Sequence, residues 1–192
     1  EYVAGVDENN VEQVLEDIIK SGADIVFCVG PQMMPNSLKV AVEHPEVYIL
    51  NCSLNAPHPY IRTYYGRMYE AKFLAGMIAG AVTDNERVAY IADRNKFLTE
   101  NDLHYVSDQD IITPNDASRY FGLYKLQDGQ ALNLAMPIWN WGVFYEKLLQ
   151  SVLAGSYKAE GQEQVKALNY WWGMSAGVID LICSKHVPYG VK

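Results

Sequence analysis

The stretch ADIVFCVGPQMMPNSLKVAVEHPEVYILNCSLN (residues 23–55) decides the fold class. Its opening run, residues 23–29, is short, apolar and rich in β-branched side chains, and Gly30-Pro31 ends it. A buried parallel strand is the expectation. Asn36 or Ser37 can cap a short helix that runs to Glu43, and His44-Pro45 terminates it, because the residue before proline is pushed out of the helical region. Residues 47–50 form the next strand, which closes at Asn51. Strand, helix and strand in that order make a βαβ unit, whose two strands lie parallel in one sheet.

Working outward, Val11, Val14, Leu15, Ile18 and Ile19 fall on one face of a preceding helix, and Gly22 is placed to end it. A longer helix is expected over 69–82, with Phe73, Leu74, Met77, Ile78 and Ala81 on the buried face. Gly76 and Gly80, four apart, point to a close approach against a neighbour. Strands follow over 87–92 and 103–107. Asp128-Gly129 marks a hairpin within 123–134, since that dipeptide readily takes positive φ. A helix is expected over 141–153, a strand over 168–172 and a last short helix over 175–183. Pro137 suggests an irregular approach to the helix that begins at Trp141.

Composition narrows the function classes. The 192 residues are 49% hydrophobic and 20% charged, the balance of a packed protein. Fifteen basic against 23 acidic side chains give a formal charge of -8, which repels phosphate backbones, so a nucleic-acid partner is not expected. No apolar run approaches the ~20 residues of a bilayer span. Three cysteines, far apart and odd in number, build neither a disulfide framework nor a zinc site. Four scattered histidines lack metal-ligand spacing, and no phosphate-cradling glycine loop occurs, so no metal or cofactor is expected. Cys52 follows a strand but has neither flanking glycines nor a partner base, which argues against a nucleophile elbow.

In parallel sheets ligands bind beyond the carboxyl ends of the strands. Here those ends carry Gly30, Asn51, Asp93 and the acid pair Asp108 and Asp110. Alternation along an extended segment would put both carboxylates on one side, able to accept hydrogen bonds from sugar hydroxyls or to hold a metal; a pair of Asx turns reads the same way. The rings of Trp139, Trp141, Phe144, Tyr145, Tyr170, Trp171 and Trp172 could stack on a ligand, although core packing is the commoner use of rings at helical spacing.

Four phrases resemble the basic membrane protein family, the purine-nucleoside-receptor-like substrate-binding components of ABC transporters: HPEVYILNCSLN (residues 44–55), RMYEAKFLAGMIAGAVTDNERVAYIAD (67–93), YVSDQDIITP (105–114) and MPIWNWGVFYEKLLQSVLAGSY (136–157). The resemblance implies a periplasmic-binding-protein type I fold, an α/β architecture of parallel sheet flanked by helices, in which two lobes joined by crossover strands close on a ligand. It implies that Asp108, with Asp110 second, binds ribose hydroxyls, that Asn51 and Gly30 lie at the ligand site, and that an aromatic such as Trp139 holds the base. It further implies an ABC permease as partner and an extracytoplasmic, lipid-anchored location.

One departure stands out. Residues 94–102 are too few for a crossover unit where relatives carry most of the second lobe. The expected organisation is therefore one lobe, residues 1–93 and 103–192, with 94–102 as a short link and most of the second lobe missing. A lobe of that kind would expose a sheet edge open to pairing with another copy. Non-enzymatic capture of a nucleoside-like molecule for uptake is the leading expectation. A cytoplasmic ligand-sensing module on the same fold is the alternative. Mg²⁺-dependent phosphoryl transfer by Asp93 and Asp108 stands third, because no basic phosphate clamp accompanies them.

Overall fold

A computed structural model describes residues 2–91, 111–114, 122–157 and 168–192. The link at 94–102, the strand expected over 103–107, and Asp93, Asp108 and Asp110 lie outside the described residues. Where the sequence reading groups 1–93 with 103–192, the structure groups the chain into two compact units, 1–66 with 144–172 and 67–143 with 173–192.

The first unit holds a four-stranded sheet in the order β1-β2-β3-β8, every pair parallel. Its strands are β1 (Ile25–Cys28), β2 (Tyr48–Cys52), β3 (Ile61–Gly66) and β8 (Asn169–Trp172). The βαβ expectation for residues 23–55 holds, with α2 (Met34–Glu43) between β1 and β2. The helix starts earlier than a cap at Asn36 or Ser37 would allow. A 3-10 turn over Pro31–Met33 leads straight into it, and the Asn36 amide donates instead to the Glu8 carbonyl at 2.6 Å. Strand β3 has no clear punctuation in the sequence, yet five of its six residues are buried.

Helix α1 (Val11–Lys20) and α2 cover one face of this sheet, where Val11, Leu15, Cys28, Val40, Ile49 and Ile61 form the core. Alternation along the strands sends the other residues to the opposite face, which is aromatic. There Tyr64 is fully buried and stacks on Phe144 of α4 (Trp141–Leu153), with centroids 4.7 Å apart and planes at 14°. Phe27 and Tyr145 meet it edge-on, and Tyr170 and Trp172 do the same to Phe144. Lower on this face Arg62 is buried over the Tyr157 ring, donating to the Tyr170 hydroxyl at 2.6 Å and the Tyr157 carbonyl at 2.9 Å. Aromatic faces and a carbonyl beyond the end of α4 offset part of the cost of burying the cation.

His44, just past α2, ties α1 to the entry of β2. Its Nε2 lies 2.9 Å from Glu16 and its Nδ1 3.1 Å from Glu46. Hydrogen bonds to Glu46 and then Glu16 raise the imidazole above its ordinary range, outweighing burial. A raised folded-state value stabilises the fold below the unfolded value of about 6.5, and that contribution is lost as pH climbs through the folded value. The urea midpoint is therefore expected to fall on going from about pH 6 to pH 8, and the slope to flatten in His44→Gln.

The second unit has a mixed sheet, β4-β5-β6-β7-β9, in which only β4 (Val88–Ile91) and β5 (Ile111–Pro114) are parallel. Strands β6 (Leu123–Gln127) and β7 (Gln130–Trp139) form the expected hairpin, with Asp128 at φ 51° and Gly129 at φ 75°. Pro137 lies inside β7 rather than at an irregular lip. The pairing with β6 has already ended at Ala135, so proline's missing N–H costs no ladder bond on that side. The helix expected over 175–183 is a 3-10 turn, Met174–Ala176, followed by strand β9 (Ile179–Cys183) antiparallel to β7. Gly177 at φ 77° breaks any helix, and burial along β9 alternates with the period of a strand.

Helix α3 (Met68–Val82) packs on β7 and β9, but through another face than the sequence suggests. Met68, Ala71, Ala75, Ile78, Ala79 and Val82 are buried, whereas Phe73 is 69% and Met77 59% exposed. Apolar residues occupy nearly the whole circumference, so periodicity alone could not choose a face. Nor do Gly76 and Gly80 make a close approach: among the described residues nothing lies within 4 Å of where their Cβ atoms would sit. Lys125 closes the helix end, donating to the Val82 carbonyl at 3.0 Å and pairing with Asp84 at 2.7 Å.

Candidate functional site

The carboxyl ends of β1, β2 and β3 form the edge of the first unit where a parallel sheet leaves backbone groups and side chains for a ligand. The segments that follow β1 and β2 are VGPQM (29–33) and CSLNAP (52–57), and neither carries a charged side chain. Gly30 and Asn51, both expected here, are brought together: the Asn51 amide donates to the Gly30 carbonyl at 2.9 Å. Asn51 is 0% exposed, and its Oδ1 has no hydrogen-bond partner among the described residues. Sequence reading passed over Asn55, whose amide donates to the Pro31 carbonyl at 2.9 Å and whose N–H donates to Ser53 Oγ at 3.2 Å. The spacing Asn51-x-x-x-Asn55 was the available signal.

A second cluster at the same strand ends consists of Cys52, Tyr64 and Tyr145, whose two hydroxyls are 3.2 Å apart. Burial pushes the Cys52 thiol up to about 11, against a lesser opposing hydrogen bond from Tyr64. The thiol therefore stays protonated at neutral pH and is a hydrogen-bonding group rather than a nucleophile. Burial also raises Tyr64 and Tyr145 above the ordinary tyrosine range. The ends of β1 and β2 thus carry neutral hydroxyl, thiol, amide and carbonyl groups.

Beside it, the loop that opens α1 adds acid rather than base. Asp7 Oδ1 accepts from the Asn9 N–H at 2.8 Å, and the Glu8 carbonyl is held by Asn36 of α2. An anionic ligand would meet repulsion at such a site, and a neutral one would not.

Trp139 belongs to the second unit, at the end of β7. It is half-buried, stacks on Trp141 with centroids 5.0 Å apart and planes at 8°, and packs against a small core of Met68, Ala71 and Ile179. Of the other rings singled out in the sequence, Phe144, Tyr145, Tyr170 and Trp172 serve the aromatic core of the first unit, and Trp171 is half exposed. Among the described residues no cluster of His, Cys, Asp and Glu is arranged to hold a metal ion.

Comparison with known proteins places this geometry. The chain spans 93% of its own length but only 56% of a relative from Haloferax volcanii named as an ABC transporter glucose-binding protein, TsgA13, with 22% identity over 228 aligned residues. It therefore covers little more than half of that relative. Among solved structures, a transcriptional activator of the comK gene from Bacillus halodurans superposes with a TM-score of 0.75 at 14% identity, covering 97% of this chain and 80% of that one. A solute-binding protein of an ABC transporter system from Conexibacter woesei gives 0.69 at 15% identity, covering 96% and 78%. Likeness at these identities establishes the α/β fold of parallel sheet and flanking helices. A family model described as ABC transporter substrate-binding protein PnrA-like matches residues 1–122, more than half of the chain. The chain belongs to that family, Bmp.

Proposed function

We propose that this chain captures a neutral, hydroxyl-bearing small molecule for an ABC-type uptake system and releases it unchanged, outside the cytoplasm and in partnership with a permease. The single observation behind the ligand class is the uncharged set of strand ends at residues 29–33 and 52–57, flanked by the acidic Asp7 and Glu8. Uncharged strand ends receive a neutral polyol without the desolvation that a charged ligand would demand. A nucleoside-like molecule is the first expectation, with Asp108 and then Asp110 accepting from the ribose hydroxyls. Glucose belongs to the same chemical class and appears in the name of one relative.

Calorimetric titration of the full-length protein with adenosine, uridine and glucose tests the reading. One of them is expected to give a saturable 1:1 heat, and Asp108→Ala to weaken a nucleoside's binding by more than about tenfold, the loss of a charge-assisted hydrogen bond. A folded protein that gives no heat with any of the three overturns the proposal.

A further inference from the structure

We propose that Asn51 and Asn55 are positioning residues, which hold the turn after β1 by its carbonyl groups instead of touching ligand themselves. Two consecutive carbonyls of that turn each receive two donors. Gly30 O accepts from the Met33 N–H at 3.3 Å and from the Asn51 amide at 2.9 Å. Pro31 O accepts from the Met34 N–H and from the Asn55 amide at 2.9 Å. Asn55 is itself fixed, since its N–H donates to Ser53 Oγ, and the Ser53 N–H donates to the Tyr64 carbonyl at 3.1 Å. The path of residues 30–33 is thus copied from β2 and β3 through side-chain amides, each donating to a carbonyl.

The surroundings of Asn51 exclude the simpler role of direct contact. Register places Cys28, Asn51 and Thr63 side by side across three strands, all buried on the face that carries α1 and α2. Above the row Ser37 of α2, also fully buried, donates to the Cys28 sulfur at 3.6 Å. Asn51 Oδ1 and Thr63 Oγ1 are sealed from solvent, with no hydrogen-bond partner among the described residues. The amide orientation is set by chemistry, because the reversed group would place Oδ1 against the Gly30 carbonyl oxygen. Cys28 is the titratable side chain in this row, and burial raises it; Asp7 and Glu8, on the loop that opens α1, are present in the wild type too, which therefore serves as the control.

Asn→Asp variants separate this role from mere packing. An ionised Asp has no proton to give a carbonyl oxygen and repels it, whereas a protonated Asp donates as the amide does. At pH 7, Asn51→Asp and Asn55→Asp are expected to lower the exchange protection of the Met33 and Met34 amides by at least about tenfold, and to regain it near pH 5 and below, while the wild type stays level. Affinity for adenosine, uridine or glucose, whichever the wild type binds, follows the same course; that arm alone rests on the function proposed above. Asn55 is exposed, so its variant folds even where Asn51→Asp does not. Protection unchanged at pH 7 in a folded Asn55→Asp protein, or lost without acid recovery, overturns the assignment. A wild type that binds none of adenosine, uridine and glucose refutes the function but leaves the exchange result decisive.

Discussion

Replacing Tyr64 by alanine is expected to cost about 3–5 kcal/mol of stability, the range for removing a large buried ring. Tyr64 is 0% exposed and lies at the centre of the first unit's aromatic face, in contact with Phe27, Phe144 and Tyr145. Those neighbours come from β1 and from α4, so collapse around the vacated space would have to move two elements at once. Tyr64→Phe keeps the stack on Phe144 and loses the hydroxyl that meets Tyr145 and Cys52, so about 1 kcal/mol is expected. Urea titrations of both variants check the ratio. A Tyr64→Ala midpoint close to wild type would show that this face is not the unit's core.

Gly173→Ala is expected to cost about 2–3 kcal/mol, close to that of breaking a charge-assisted hydrogen bond and its ion pair. Backbone strain is not the reason, since φ −131° and ψ −151° suit any residue. The reason is space: an added Cβ would overlap the Glu70 carboxylate and the Arg67 Nε. Glu70 cannot yield freely, because its Oε2 accepts from the Met174 N–H at 2.7 Å and its Oε1 lies 3.1 Å from Arg67 Nε. In a Glu70→Ala background the Arg67 side chain loses the carboxylate that holds it and can swing clear of the methyl, so the penalty is expected to shrink to within about 0.5 kcal/mol, which a double-mutant cycle reads directly. A full penalty in that background would rule out the clasp as its cause.

What could be read ahead of the structure followed local punctuation. Residues 23–55 were legible because Gly30-Pro31 and His44-Pro45 bracket each element, and the hairpin because Asp128-Gly129 sits at its turn. The buried face of α3 was not legible, since an all-round apolar helix leaves the choice to tertiary packing. Strand β9 was mistaken for a helix because its few residues fit either period until Gly177 and the partner strand β7 decide. At the candidate site, Gly30 and Asn51 could be placed at strand ends from the βαβ pattern. That Asn51 faces inward, and that Asn55 mirrors it one carbonyl along, depends on the course of the chain between them. Tyr64 and Tyr145 stand 81 positions apart, beyond the reach of any local pattern.

The division of the chain has a consequence for how it is made. Strand β3 ends at Gly66, but its second neighbour, β8, begins at Asn169, so Thr63 meets Asn169 only after the whole second unit except its last residues has been synthesised. Until then one flank of β3 offers bare backbone donors and acceptors to whatever passes. Closing so long a loop also slows the last pairing. Any truncation upstream of residue 169 would leave that flank permanently open, and a nascent chain paused there is where chaperone capture or aggregation should concentrate.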